Sequence, residues 1–331
     1  MAKSSQKHIL VITRTDDGHI PFVQRHLDRP FTIVDPLAVL QGTTLTYHLD
    51  KDGNLAVISN GERLESIKSV WYRKPGLLPG EKLQLNLPAE LREFSEDALH
   101  NFMRLLGSRF PDAFWISRPN AIRHAADKLL QLECAAKLGF KVPETLVTSS
   151  AATAKDFVRK HARALTKPIA GYPLPAADGK MKIFYAHKIG KKDFDYSGLH
   201  LAPAIFQPAI DAALDIRVTV VRDKVFAAAI TGSAIDEPLS MLRDWRIAYT
   251  KGNLTIEAFD LPRKIADLSV KLVRQLGLEI GALDFVLDRR GTFWFLENNA
   301  NGQWAFVEER TGQQIGKAVA NLLMSGKQGQ R

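Results

Sequence analysis

Residues 281–299, GALDFVLDRRGTFWFLENN, constrain this chain more than any other stretch. Two apolar runs flank a short polar turn, which is a hairpin signature. The second run, Phe293 to Leu296, belongs in a core, yet it ends in Glu297, Asn298 and Asn299, with Asn301 close behind. Side chains alternate along a strand. With an even-numbered turn centred on Arg289 and Arg290, Asp284 faces Phe295 and Glu297 is its diagonal neighbour. Asp284, Glu297 and Asn299 then project from one face. Diagonal Cα positions lie about 7–8 Å apart, and two carboxylates held that close repel. A divalent cation between them turns repulsion into binding, and Mg²⁺ favours oxygen donors shared with phosphate and water. The residues alone leave a second reading open, in which Asp284 opens a turn and the amides cap the next segment.

Composition narrows the class. A chain of 331 residues is long enough for two or three lobes. A single cysteine, Cys134, excludes an internal disulfide and fits a reducing compartment, so a cytoplasmic protein is expected. Cys134 reads as a core thiol on a helix. No apolar run reaches the length of a signal peptide or a membrane span. The net charge of +9 suits an anionic partner, but the basic residues are scattered, which argues against nucleic acid. The nine histidines show no metal-ligand spacing and read as surface or core residues.

The order of elements predicts an α/β protein with α+β lobes. KHILVIT, PFVQRHLD and FTIVD suggest a strand–helix–strand start, and TLTYHLDKDGNLAVIS a hairpin turning at Asp52-Gly53-Asn54. SVWYRKP is a strand stopped by Pro75. PAELREFSEDALHNFMRLLGS is an amphipathic helix with Leu91, Phe94, Ala98, Leu99, Phe102 and Leu106 on one side. The first lobe is expected to span residues 1–118, a central lobe 119–206 and a C-terminal lobe 207–327. The central lobe starts with a helix stopped at Gly139, then a strand carrying Lys167 and a Gly/Pro-rich loop, AGYPLPAADGKM. In the third, DIRVTVVRD and KVFAAAI pair around Arg222-Asp223-Lys224. There is neither a GxxxxGK[ST] loop nor a GxGxxG motif, so P-loop and simple dinucleotide-binding proteins are disfavoured. Cations that could meet phosphate are Lys128 at a helix start, Lys167 and Arg217 within apolar strands, and Arg246 in RDWRIAY; each could equally be a snorkelling side chain. Trp304 and Phe306 read as core, with substrate contact as the alternative.

The order Lys128, Lys167, FQPAIDAALDIRVTVVRDKVFAAAI, DWR, ALDF and FLENNANGQW resembles the ATP-grasp ligases. More narrowly it is similar to the ribosomal-peptide maturases that make microviridin-type graspetides, whose N-terminal lobe carries a motif seen here as Trp71-Tyr72-Arg73-Lys74-Pro75. The resemblance runs from about residue 7 to 325. It implies an ATP-grasp fold with an N-terminal pre-ATP-grasp α/β domain. It also implies that Asp284, Glu297 and Asn299 hold a pair of Mg²⁺ ions and that Lys128 and Lys167 contact ATP phosphates. Gln207, Pro208, Ala209 and Ile210 would form the linker that meets adenine, with Asp215 near the ribose. Arg217 and Arg246 would act near the γ-phosphate and the acyl-phosphate, and the AGYPLPAADGKM loop would close over the triphosphate. Arg73, Lys74 and Arg243 are candidate peptide contacts. Three positions depart from the pattern: Pro208 offers no N–H where relatives carry an acid, Ala300 replaces a proline, and Asn298 replaces an apolar residue.

The activity implied is ATP-dependent ligation. Asp or Glu side chains of an acidic precursor peptide with a leader segment would become acyl-phosphates, and Ser, Thr or Lys side chains would attack them to give ω-ester or ω-amide macrocycles. The basic net charge suits such a partner. No nucleic-acid or membrane partner is expected, and a homodimer is compatible because relatives commonly dimerise. One alternative is an ATP-grasp ligase that joins an amino acid to a small molecule or a protein C-terminus. Another is a nucleotide-binding regulator without catalysis.

Overall fold

A computed structural model describes residues 8–73, 88–161, 163–169, 174–175, 181–182, 186–189, 194–232 and 254–326. The N-terminal lobe follows from its apolar runs. His8–Ile12 pairs in parallel with Phe31–Val34 on one side and with Ile67–Tyr72 on the other, and Phe114–Ile116 adds a fourth parallel strand. His8–Ile12 and Phe114–Ile116 are buried on both faces, as strands of a parallel sheet usually are, while the edge strand Phe31–Val34 is half-buried apart from Val34. The hairpin expected at Asp52-Gly53-Asn54 is present, with Asp50 accepting from the Asp52 and Asn54 amides. The helix Ala89–Leu106 is present too, but its apolar face divides. Leu99, Met103 and Leu106 form an i, i+4, i+7 stripe that packs on the sheet, whereas Leu91 and Phe94 stay 51% and 71% exposed. Among the described residues, the helix meets the sheet with its C-terminal half.

A central antiparallel sheet orders His187–Ile189, Ala164–Pro168, Ala204–Pro208 and Leu146–Thr148. The helix Ala151–Lys160 covers it with Ala154, Phe157 and Val158. The C-terminal sheet has five antiparallel strands in the order Leu254–Ala258, Lys224–Gly232, Ala212–Val221, Ile280–Asp288, Phe293–Asn299. One face of this sheet carries Ile216, Phe285 and Phe295, packed under the helices Lys128–Leu138 and Arg263–Gln275. Cys134 is buried there. A second core joins Ile9, Val11 and Trp71 of the first lobe to Val319 and Leu323 of the last helix, Ile315–Ser325, so the first and last segments of the chain share one interior. Trp304 and Phe306 are buried in it, as expected.

Candidate functional site

The hairpin turn is one residue longer than an even-numbered loop. Asp288 donates its N–H to Thr292 O at 3.0 Å, leaving Arg289, Arg290 and Gly291 in the loop, and Gly291 takes φ +79°, where glycine is unstrained. The Asp288 carboxylate accepts from Trp294 Nε1 and from the Arg290 and Thr292 amides, and these bonds, Trp294 first, hold its pKa below the usual range. A one-residue slip alone would turn Glu297 and Asn299 to the core face. A bulge at Leu296 adds the second residue that restores the parity: Phe285 pairs with Phe295, but Asp284 pairs with Glu297. The expected pairing of Asp284 with Phe295 is thus corrected. The two carboxylates are direct rather than diagonal neighbours, and the expected common face survives.

The register sets a row across three strands. Arg217 pairs with Asp284, which pairs with Glu297; in the next row Thr219 pairs with Ala282, which pairs with Asn299. Arg217 Nη1 lies 3.1 Å from Asp284 Oδ1, and the guanidinium is buried. Asn299 Nδ2 donates to Asp284 Oδ2 at 3.2 Å and to Glu297 Oε1 at 3.3 Å. Lys128, first residue of its helix, sets Nζ 3.8 Å from Glu297 Oε2 and 3.4 Å from Pro168 O, reaching from the C-terminal sheet to the central one. Beyond Asn299 the chain folds back. Gly302 donates to Asn299 O at 3.0 Å, and a Cβ on Gly302 would come within 2.4 Å of the Ala282 Cβ, so no larger residue fits this turn.

The opposite wall comes from the loop after the first strand. Asp17 Oδ1 accepts from His19 Nδ1 at 2.7 Å, and Asp17 Oδ2 accepts from Arg73 Nε at 2.9 Å and from Thr13 Oγ1 at 3.1 Å. His19 Nε2 accepts from the Trp304 and Ala305 amides at 3.0 and 3.2 Å, which fixes the proton on Nδ1 and leaves the ring neutral. Arg73 also donates to Gly302 O and Gln303 Oε1. Burial pushes the Asp17 carboxyl up, but the His19 bond and the Arg73 charge outweigh it and hold the group well below the usual carboxylate range. Desolvation likewise pulls Arg73 down, against the pull of Asp17. Arg73 is 3% exposed, and its bonds clamp the first lobe to the 302–305 turn. His19, buried as a core histidine, belongs to the same clamp. Metal-ligand spacing could not reveal it; its place just beyond the C-terminal end of a parallel strand, where α/β sheets bind ligands, is the signal that could have.

The clamp and the carboxylate row face each other across a cavity of about 980 Å³, lined by Thr13, Asp17, His19, Lys128, Glu297 and Asn299 among others. Gln207 is buried and donates to Thr145 Oγ1; with Pro208 it ends the strand Ala204–Pro208, and Ala209 and Ile210 lead from the central sheet to the strand Ala212–Val221. Lys167 is half-buried on Ala164–Pro168, opposite Ile205. Asp215 is half-buried on the row face, two residues before Arg217. Lys74, Arg243 and Arg246 lie outside the described residues, as does most of AGYPLPAADGKM apart from the paired residues 174–175 and 181–182.

The donor set fits Mg²⁺. Among the described residues no group of three or more His, Cys, Asp or Glu could hold a metal. Two carboxylates and an amide oxygen, which Asn299 presents after a half-turn of its amide, are instead an incomplete oxygen shell of the kind that leaves places for phosphate and water.

No curated protein sequence matches the chain. Among solved structures, it is similar to a Chryseobacterium gregarium RiPP-associated ATP-grasp ligase in complex with ADP and a leader and core peptide, with 24% identity, TM-score 0.84 and 98% of each chain covered. It is also similar to the macrocyclase MdnC of Microcystis aeruginosa MRC bound with precursor peptide MdnA, with 22% identity, TM-score 0.81, and 96% of this chain and 99% of that one covered. The ATP-grasp ligase PsnB, complexed with a precursor variant, Mg and ADP, matches at 21% identity and TM-score 0.75 over 98% of this chain and 99% of its own. These likenesses establish the ATP-grasp fold. The model of the RimK-like ATP-grasp domain matches residues 125–323, a segment that holds Lys128, Arg217 and all three oxygen donors. With more than half of its length inside that match, the chain belongs to the RimK-like ATP-grasp family.

Proposed function

We propose that this chain is an ATP-dependent peptide ligase that forms macrocycles within a precursor peptide. The observation that carries the reading is the Arg217–Asp284–Glu297 row with Asn299, which reaches a cavity beside Lys128 through Arg217, Glu297 and Asn299. The bound leader, core and precursor peptides named for the first two relatives, together with near-complete coverage of both chains, favour a peptide over a small molecule as substrate.

Asp284, Glu297 and Asn299 would hold a pair of Mg²⁺ ions, whose positive charge would offset that of the nucleotide phosphates. Arg217 holds the Asp284 carboxylate in place through their 3.1 Å contact. Lys128 and Lys167 approach the phosphates from the other side, and residues 207–210 meet adenine through the backbone, Pro208 by acceptance alone. Asp215 would approach the ribose, and Arg217 with Arg246 the transferred phosphoryl group. A carboxylate oxygen of the peptide bonds to the γ-phosphorus as the bond to ADP breaks. A hydroxyl or amine of the same peptide then attacks the acyl carbon, phosphate leaves, and the nucleophile gives up its proton. Each ring bond thus removes one water overall. An acyl-phosphate hydrolyses if water enters, so the clamp that closes the cavity wall serves the chemistry too. The basic net charge attracts an acidic precursor, and the single buried cysteine suits the reducing cytoplasm. Among the described residues no helix is long and apolar enough to cross a membrane.

Mass spectrometry of a candidate acidic precursor incubated with enzyme, ATP and Mg²⁺ tests the reading. Loss of one water per ring with ADP release is expected. ADP release only with an amino acid or a small molecule would move the substrate to the alternative ligase class.

A further inference from the structure

Phe293–Asn299 is the outermost strand of its sheet, so one backbone edge lies beyond the ladder. That edge is closed from outside. Phe295 donates its N–H to Lys141 O at 2.9 Å. Asn298, seated between two oxygen donors, is closed by a side chain: Gln131 Nε2 donates to Asn298 O at 2.8 Å, and Gln131 Oε1 accepts from Asn298 N at 2.8 Å. A primary amide offers a donor and an acceptor in one plane, so it imitates one residue of a neighbouring strand. Gln131 Nε2 also donates to Ala125 O at 2.6 Å, and the side chain is buried.

We infer that Gln131 is a positioning residue: it locks the Asn298 backbone, and through it the directions of Glu297 and Asn299. This inference rests on the metal-binding reading of those two residues. Three features support it. The bulge at Leu296 disrupts the ladder immediately before Glu297, so the strand needs a second hold at this point. The Asn298 side chain supplies none, because both of its polar atoms are buried without a partner. Gln131 also lies one helical turn after Lys128, so a single helix brings the phosphate-facing cation and the lock to the same strand. An apolar residue at 131 would leave the Asn298 N–H, the Asn298 carbonyl and the Ala125 carbonyl buried without these bonds.

The test compares Gln131→Met, which loses all three bonds, with Gln131→Glu, which keeps the acceptor for the Asn298 N–H. Hydrogen exchange over 294–301 and the Mg²⁺ dependence of ADP binding are read on the whole chain. Faster exchange at Asn298 is expected, with a Mg²⁺ half-saturation raised about 10–100-fold in Gln131→Met and less in Gln131→Glu, while metal-free ADP affinity is unchanged. If Gln131→Met does not fold, Gln131→Glu alone must show the rise. An unchanged Mg²⁺ half-saturation, or a rise matched by an equal loss of metal-free ADP affinity, overturns the positioning role. Absence of Mg²⁺-dependent binding in the unaltered protein overturns the underlying metal site and the inference with it.

Discussion

Two buried polar clusters face each other across one cavity, and they are built to opposite plans. The Asp17–His19–Arg73 clamp is closed: its carboxylate, imidazole and guanidinium bond to one another and to the backbone of 302–305. The Arg217–Asp284–Glu297 row with Asn299 is open toward the cavity through Glu297 and Asn299: Arg217 lies 3.1 Å from Asp284, Lys128 3.8 Å from Glu297, and an amide nitrogen sits between the two carboxylates. Burying charge is costly unless it is paired and hydrogen-bonded. The closed cluster meets that requirement within the protein. The open one sets two neighbouring carboxylates and an amide beside a cavity, an oxygen set that suits a divalent cation. The contrast separates a joint from the cluster proposed to bind metal, although both hold an Arg–Asp pair.

Substitutions should split along that line. Glu297→Ala is expected to abolish ATP turnover, read as ADP release, while the circular dichroism spectrum persists; normal turnover would remove the metal site. Arg73→Met should instead act on stability, because it leaves Asp17 buried without its cation: a loss of about 3–5 kcal/mol in denaturant unfolding is expected. A loss of activity with unaltered stability would return Arg73 to the substrate. Acid should affect the clamp in a smaller, graded way. The folded-state pKa of Asp17 is depressed, so its contribution is fully present above the ordinary carboxylate value and fades as pH falls through that value toward the folded one. Arg73, His19 and Thr13 are the groups facing it. Melting temperature followed downward from about pH 5 should fall less steeply in Asp17→Asn than in the unaltered protein; parallel curves would contradict the assignment. The smallest effect concerns the face behind the row. Asn298→Val removes two unpartnered buried polar atoms and should stabilise the chain by about 1 kcal/mol, read as a higher melting temperature without loss of ADP binding.

The open cluster was legible in sequence and the closed one was not. Asp284, Glu297 and Asn299 lie within sixteen consecutive residues of one hairpin, where the period of two places them on a common face. Even so, the face came out as expected because two deviations cancel: a longer turn and a bulge shift the register twice. Neither could be read from DRRG or FWFLENN. The clamp joins residues 17, 19 and 73 to 302–305, a connection made by tertiary packing that no local pattern encodes. Gln131 escaped for the same reason, since a polar helix residue looks solvated until the edge strand it covers is in place. On Ala89–Leu106 the helical period was visible, but where the sheet stops beneath the helix was not.

Calorimetric titration of ADP into the unaltered protein and into Asp284→Asn, with and without Mg²⁺, tests the open cluster most directly. Binding that is strengthened by Mg²⁺ in the unaltered protein and indifferent to it in Asp284→Asn is predicted. Equal affinity in all four titrations would contradict a metal–nucleotide site on this sheet.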